Sequence, residues 1–367
     1  IIFGILMVLN NIFQGCGFPP CNRLITHWVP PHELATKMSI WNASHSIGAF
    51  IIAVLCGYIM GNMGTDMTGN EEMRARVVEN TAKITESMDP AAAQAYVDNA
   101  LQHVGAWQWA FWIPAIIGLF GVLFIITVLR DTPKSVGLPE LAGTKTELDG
   151  KEETSAEFKE FLRKKVFMNP IIWILAISDF FVYIVRFAIL DWGPTFLQES
   201  RGLSSEMAGW TVAIFEVMGV CGMLTAGVIS DKLFKGRSQR TCVFCMAGVL
   251  LFISLFVMLP ETTNPTLLLA FLAISGFFIY GPQALIGVIA SNQATKKAAS
   301  TANGVVGFVS YISVAVSGVG FGFISDHFGW QWVFITMIII AILGLLALLT
   351  LWNVKSDGYD HSDELAA

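Results

Sequence analysis

The sequence predicts an all-helical membrane protein, and three observations carry this prediction. Of the 367 residues, 54% are hydrophobic and 14% are charged, against roughly 25% charged residues in ordinary soluble proteins. The mean hydropathy of +0.62 is too high for a soluble chain to cover its surface with polar groups. Apolar stretches long enough to cross a bilayer recur along the chain. This composition excludes a typical cytosolic enzyme, a nucleic-acid-binding protein and a disordered protein.

Nine apolar stretches have the length of about 20 residues that a helix needs to cross a bilayer. They lie near residues 1–27, 38–61, 107–129, 171–196, 207–230, 241–260, 265–290, 300–324 and 330–353. Gly, Pro, Ser and Thr are frequent inside them, as close packing between membrane helices requires. Because Ile1 already lies in an apolar run, we expect this chain to be the downstream part of a longer protein.

The distribution of basic residues predicts the orientation of the spans. Seventeen of the 22 Lys and Arg fall in the tail and in the loops on one side. Four fall in the loops on the opposite side, and the remaining one, Arg186, lies inside a span. The positive-inside rule therefore predicts that the basic loops and the C-terminus are cytoplasmic.

A polar linker divides the predicted membrane spans into two bundles. The four segments are the end of the first bundle at 1–130, the cytoplasmic linker at 131–169, the six-helix second bundle at 170–354 and the cytoplasmic tail at 355–367. A short amphipathic helix is expected in the linker near 157–167. The acidic external insertion at 62–106 is patterned as a helical hairpin. Its preferred role is a solvated cap, with a ligand trap as the alternative.

A repeated motif predicts that the two bundles are related. Trp107-Gln-Trp-Ala-Phe111 and Trp330-Gln-Trp-Val-Phe334 each follow a glycine and open an apolar span. Matched motifs at corresponding starts indicate two homologous halves, as in transporters of the major facilitator type. Six spans follow the linker and three precede it. The prediction is therefore a major facilitator fold with nine of twelve helices, the last three of the first half and all six of the second.

The loop from Gly227 to Arg237, GVISDKLFKGR, carries a second motif. It resembles the G-x-x-S-D-[RK]-x-x-x-G-[RK] loop of major facilitator proteins. Asp231 could cap a helix start or pair with a nearby base, while the cations hold a cytoplasmic gate closed. A generic basic loop is the alternative, which the order of the residues disfavours.

Arg186 is the most informative residue, because it is an arginine in the middle of a span. Placing arginine at the bilayer centre costs about 2.5–3.5 kcal/mol on insertion scales, so such residues face a cavity or a partner. The planar guanidinium matches a phosphate or a carboxylate with two parallel hydrogen bonds. The structural alternative is an ion pair with Asp179 or Glu216. Glu216 itself could be the gate partner of a cation or a proton carrier.

Other polar side chains at membrane depth could line a cavity around this arginine. Tyr183 lies one turn before it on the same helical face, and Asn42 and His45 share a face of another span. The ordinary pKa of histidine, near 6.5, overlaps the second pKa of phosphate esters, near 6. Tyr280 and Tyr311 lie in the middle of spans, where tyrosine suggests the bundle interior.

Several of these segments together resemble one family, the organophosphate:phosphate antiporters. They are GFPPC at 17–21, Trp41-Asn42-x-x-His45, the stretch from Tyr183 to Thr195, Tyr280-Gly-Pro and Pro133-x-x-x-Gly-Leu-Pro139. The resemblance runs from residue 1 to about residue 353. The ILDW-x-PT segment is more similar to the glycerol-phosphate members, whereas the string around Gln283 resembles the hexose-phosphate members.

The resemblance implies a multi-pass transporter of the bacterial inner membrane that exchanges glycerol 3-phosphate for inorganic phosphate by alternating access. It implies that Arg186 holds phosphate, that Glu216 pairs with cations in the site, and that Phe18 is an aromatic residue of the cavity. His45, Asn42, Tyr183, Tyr280 and Tyr311 match positions that line the site. The family's first-half arginine and a cavity lysine would fall on spans that this chain lacks.

We further expect a monomer that acts in the lipid bilayer, with no enzymatic activity, no metal, no cofactor and no nucleic-acid partner. Two alternatives remain open on the sequence. One is a hexose-phosphate antiporter of the same family, and the other is a transporter-like membrane sensor of phosphate esters.

Overall fold

The computed structural model describes residues 6, 13, 17–85, 88–139, 156–202, 205–260 and 263–354. These residues form helices and contain no β-strand. The chain divides into two compact units, Ile1–Ser44 with Asp131–Ala367 and His45–Arg130. The predicted all-helical membrane fold is therefore confirmed.

Twelve helices are found in the described residues. They are α1 (Phe18–Trp28), α2 (Leu34–Asn62), α3 (Glu71–Thr85), α4 (Pro90–Gln102), α5 (Ala106–Val128), α6 (Ala156–Leu162), α7 (Pro170–Phe187), α8 (Gly193–Arg201), α9 (Ser205–Val228), α10 (Ser238–Val257), α11 (Pro265–Phe328) and α12 (Trp330–Thr350). Short helical turns also precede α2 and follow the ends of α5, α6, α7 and α9.

Seven helical segments in the described part of the chain are long and apolar enough to cross a membrane. One of them, α11, has 64 residues, or about 96 Å at 1.5 Å per residue, three times the thickness of a bilayer core. It is broken at Thr295, whose φ of 69° is not helical. Beyond the break the chain folds back, since Asn303 Nδ2 donates to Ser291 Oγ at 2.9 Å. Its two arms therefore correspond to the predicted spans 265–290 and 300–324, whereas most of the predicted span 1–27 lies outside the described residues.

The starts of the spanning helices follow from local sequence. Asn169 and Asn264 accept hydrogen bonds from the backbone of Ile171 and Thr266, at 3.0 and 2.9 Å. Each is followed by a proline, which lacks the N–H that the first turn of a helix cannot pair. Each Trp-Gln-Trp motif lies in the first turn of a helix that begins directly after a glycine of positive φ, since α5 begins at Ala106 after Gly105 and α12 begins at Trp330 after Gly329.

The predicted span 171–196 extends further than expected. After α7, residues Ala188–Trp192 form a wider π-helical turn, and α8 then continues to Arg201. The helix stops at Gly202, which has a left-handed φ of 64° and caps two carbonyls of the last turn. This wide turn directly follows Phe187, the neighbour of the intramembrane arginine.

In the larger unit, α9 and α11 cross at a distance that only glycine allows. A Cβ added to Gly222 would lie 1.8 Å from the Phe277 carbonyl oxygen, and one added to Gly276 would lie 2.6 Å from that of Phe215. Small residues at such crossings let membrane helices pack backbone to backbone. This contact brings the middle of α9 beside the first arm of α11, where the candidate site residues Glu216 and Tyr280 lie.

The linker helix predicted near 157–167 is present as α6 and the π-helical turn Arg163–Phe167. Arg163 donates two hydrogen bonds of 2.8 Å to Glu160, which hold the pKa of that exposed carboxyl below its usual range. In the smaller unit, α3 and α4 form the predicted hairpin. An ion pair between Arg74 and Asp98 joins the two helices.

Candidate functional site

Arg186 is buried near the C-terminal end of α7 and is 8% exposed. Its Nη2 donates to the Tyr280 hydroxyl at 2.9 Å and lies 3.4 Å from Glu216 Oε1. The guanidinium carbon lies 4.7 Å from the centre of the Tyr280 ring and 5.0 Å from that of Phe187. Side chains from α7, α9 and α11 therefore converge on one cation. Phe187 was not among the residues singled out in the sequence.

The contacts of Arg186 leave hydrogen-bonding capacity unused. Its Nε is buried and has no hydrogen-bond partner among the described residues. The Glu216 contact is longer than the 2.7–2.9 Å of a strong charge-assisted hydrogen bond, and the Glu216 side chain is 32% exposed. The ion pair with Glu216 that the sequence offered as an alternative thus exists in a loose form. Asp179, the other proposed partner, instead contacts Ser310.

Tyr183 and Tyr311 extend this group along α7 and α11. Their ring centres lie 6.0 Å apart, and the Tyr183 ring also packs 5.8 Å from Phe187. Tyr183 is half-buried, whereas Tyr311 is 63% exposed. We call Arg186, Glu216, Tyr280, Tyr183 and Tyr311 the arginine cluster.

The other predicted lining residues lie on α1 and α2. Asn42 is half-buried on α2, and none of the described hydrogen bonds joins it to the arginine cluster. His45 is exposed on the part of α2 that belongs to the smaller unit. Phe18 packs against Trp41, with ring centres 5.4 Å apart. The grouping of Asn42 and His45 with Arg186 stays a prediction.

Asp231 lies in the π-helical turn Ile229–Leu233 that follows α9, and it contacts the start of α2. Its Oδ2 accepts a hydrogen bond of 2.7 Å from the backbone N–H of Thr36, in the first turn of that helix. A carboxylate in this position satisfies an unpaired N–H and interacts favourably with the helix dipole. Close by, a Cβ on Gly227 would lie 2.5 Å from Ser39 Oγ, so the two helices approach closely. This contact is the helix cap that the sequence allowed for Asp231.

Two buried polar groups were missed as site candidates. Asp179 is 6% exposed and contacts the Ser310 hydroxyl. Asn22 is fully buried against Gly287, and neither of its amide atoms has a partner among the described residues. The sequence carries a signal for a polar partner of Asp179. Serines at 310, 313 and 317 are spaced so that they form a polar stripe on one face of an apolar helix. Within the described residues, no group of His, Cys, Asp or Glu could hold a metal ion.

The chain matches known proteins over nearly its whole length. The sequence profile of the Major Facilitator Superfamily matches residues 2–318 and 238–364. The glycerol-3-phosphate transporter of Bacillus subtilis is 34% identical over 96% of this chain and 71% of its own length. A probable hexose phosphate transport protein of Chlamydia pneumoniae is 33% identical, with the same coverage. The membrane sensor protein UhpC of Escherichia coli is 30% identical over 96% of this chain and 72% of its own length.

A solved structure shows the same fold. The transporter FucP in its outward conformation superposes with a TM-score of 0.62, at 15% identity, over 90% of this chain and 70% of its own. With the helices described above, these matches show that the chain belongs to the Major Facilitator Superfamily and is a multi-pass transporter of the bacterial inner membrane rather than an enzyme.

Proposed function

We propose that the protein is a monomeric secondary transporter that exchanges glycerol 3-phosphate for inorganic phosphate by alternating access. The observation that carries the proposal is the unused donor capacity of Arg186, a buried cation whose Nε has no hydrogen-bond partner among the residues that the structure describes. A phosphate dianion fits this need, since two of its oxygens can accept parallel hydrogen bonds from one guanidinium. The relatives named for glycerol 3-phosphate and hexose phosphate support a phosphate monoester as the partner.

In this mechanism Glu216 competes with the anion for Arg186. When the site is empty, the loose contact of 3.4 Å partly neutralises the guanidinium. Arriving phosphate displaces the carboxylate, and the Tyr280 hydroxyl stays beside the same nitrogen atom. The Arg186 guanidinium is thus paired either with Glu216 or with bound phosphate, and its positive charge is not left uncompensated in an empty site. That property favours exchange over leakage of one substrate.

Asp231 would hold the cytoplasmic side closed during part of this cycle. Its carboxylate joins the end of α9 to the start of α2 through Thr36. Breaking this hydrogen bond removes a charge from a helix N-terminus, which costs about 0.3–2 kcal/mol. A contact of this strength can be formed and broken in each cycle without an external energy source.

The proposal is tested with the full-length protein in liposomes that contain inorganic phosphate. Uptake of labelled phosphate is measured while glycerol 3-phosphate or glucose 6-phosphate is added outside. We expect glycerol 3-phosphate to compete at the lower concentration.

Two outcomes would replace the proposal with an alternative. Stronger competition by glucose 6-phosphate would make the protein a hexose-phosphate antiporter, which the equally similar Chlamydia relative favours. Saturable ester binding without any exchange of phosphate would instead favour a membrane sensor, as the UhpC relative is named.

A further inference from the structure

Gln283 is a polar side chain beside the arginine cluster that the proposed mechanism does not use. It lies on the first arm of α11, one helical turn after Tyr280, and is half-buried. Its Oε1 atom is buried and has no hydrogen-bond partner among the described residues. Burying an acceptor without a partner costs free energy, so such an atom next to a binding site indicates that a bound molecule supplies the donor.

Two contacts place Gln283 opposite Tyr183 of α7. The Tyr280 hydroxyl accepts a hydrogen bond of 2.9 Å from Arg186, and the Gln283 side chain lies within hydrogen-bonding reach of the Tyr183 hydroxyl. Tyr183 precedes Arg186 by one turn and Gln283 follows Tyr280 by one turn, so the two helices run antiparallel. They form a charged level, with Arg186 and Tyr280, and a neutral level, with Tyr183 and Gln283. Because Oε1 has no partner in the described part of the chain, the Tyr183 contact belongs to the amide nitrogen.

The packing of α11 fixes the direction in which Gln283 points. A Cβ added to Gly219 of α9 would lie 2.5 Å from the Tyr280 ring, and one added to Gly281 would lie 2.7 Å from Cys245 Sγ of α10. These close contacts hold two consecutive residues of α11, so the helix cannot rotate without a clash. The Gln283 amide is therefore presented to α7 by a rigid element, as a selective binding site requires.

The free oxygen atom of Gln283 can distinguish between phosphate esters. The unesterified oxygens of a monoester dianion carry no hydrogen, so they accept hydrogen bonds from Arg186 but cannot donate to Oε1. A hydroxyl group on the carbon part of the ester can donate to it. The two levels are about 4.5 Å apart along the helix axis, at 1.5 Å per residue. Since the first hydroxyl of a glycerol or sugar chain is only a few bonds from the phosphorus atom, one bound molecule can contact both levels.

From this geometry we propose that Gln283 is a specificity-determining residue that binds a hydroxyl group on the carbon part of the substrate. Its Oε1 accepts the hydroxyl hydrogen while its amide nitrogen stays on Tyr183. The site therefore prefers phosphate esters of polyols and sugars to simple alkyl phosphates. The inference rests on the proposed phosphate site at Arg186 and names the chemical class of the ester that this site takes.

The test compares the binding of glycerol 3-phosphate and of propyl phosphate, which lacks both hydroxyl groups, to the purified full-length protein by calorimetry. A neutral hydrogen bond corresponds to about a 2- to 12-fold change in Kd, so the parent protein should prefer glycerol 3-phosphate by at least this factor. Gln283→Met keeps an unbranched side chain of good helix propensity but removes the amide, and should lower the preference by the same factor. Gln102→Met is the matched control, because that glutamine is exposed on α4, and should keep the parental preference.

Equal affinity of the parent protein for the two esters would overturn the proposal without any variant. An unchanged preference in Gln283→Met would also overturn it and would leave the amide a role in helix packing only. Gln283→Asn moves the amide back by one methylene group and should lose the preference as well, which gives the same test if the methionine variant does not fold. The measurement does not depend on transport. Absence of phosphate exchange together with an intact preference would therefore count against the proposed function only.

Discussion

Replacing Arg186 by lysine is the most direct test of the site. Lysine keeps the positive charge but presents all its donors from one nitrogen atom, whereas the guanidinium presents a planar fork. In the structure, Nη2 donates to Tyr280 and contacts Glu216, and Nε has no hydrogen-bond partner in the described part of the chain. Arg186→Lys can therefore keep one contact to the protein or to the anion, but it loses two-point binding of phosphate.

The magnitude follows from the lost hydrogen bond. A hydrogen bond to a charged group contributes about 1.5–3 kcal/mol. Since each 1.4 kcal/mol corresponds to a factor of ten, we expect the Kd for phosphate to rise about 10- to 150-fold. The substitution weakens the aromatic contacts with Tyr280 and Phe187 in both the empty and the occupied site. These contacts therefore change the free energy of phosphate binding little.

The measurement is phosphate binding to the purified full-length protein by calorimetry, together with labelled phosphate exchange in liposomes. Arg201→Lys is the matched control. That arginine also makes two-point contacts, of 2.7 and 3.1 Å, but they go to the backbone carbonyls of Pro260 and Leu259. We expect it to leave phosphate affinity unchanged. Parental affinity in Arg186→Lys would refute the role assigned to this arginine.

Three further substitutions test the surroundings. Glu216→Gln removes the acid that competes with the anion, so the Kd for phosphate should fall up to about fivefold while exchange slows, as binding and flux assays will show. Asp231→Asn keeps an acceptor for Thr36 but removes the negative charge. It should reduce the free energy that favours the cytoplasm-closed state by up to about 2 kcal/mol, which spin-label distances can measure. An unchanged distance distribution would argue against a gate. Gly222→Ala forces α9 away from the backbone of α11 and should destabilise the protein by about 1–3 kcal/mol or more in thermal unfolding. Gly118→Ala, in open space, is its control.

Within the described residues, the hydrophobic pattern was sufficient to predict helices long and apolar enough to cross a membrane, because each helix must satisfy its own backbone hydrogen bonds in lipid wherever it lies in the bundle. For the same reason, a charge inside a span stood out without any knowledge of its neighbours, and Arg186 was identified from its position alone. The Trp-Gln-Trp motifs and the asparagine caps act within a few residues of the chain. The helix starts that they set can therefore also be predicted from the neighbouring residues in the sequence.

The partners of these charges were decided by tertiary packing. Asp179 and Glu216 were equally plausible partners for Arg186 in the sequence. The glycine crossing at Gly222 brings Glu216 of α9 and Tyr280 of α11 to the arginine. Meanwhile the second arm of α11 presents Ser310 to Asp179.

The sequence by itself therefore determined which of the described segments are long and apolar enough to cross a membrane, and it identified Arg186 as a charged residue inside one of them, because hydration energies are local properties of each residue. Only the tertiary structure decided which acid faces the arginine and which one lies apart beside a serine. That choice depends on how far two helices can approach and how each is rotated, and both are fixed by contacts between residues distant in the chain.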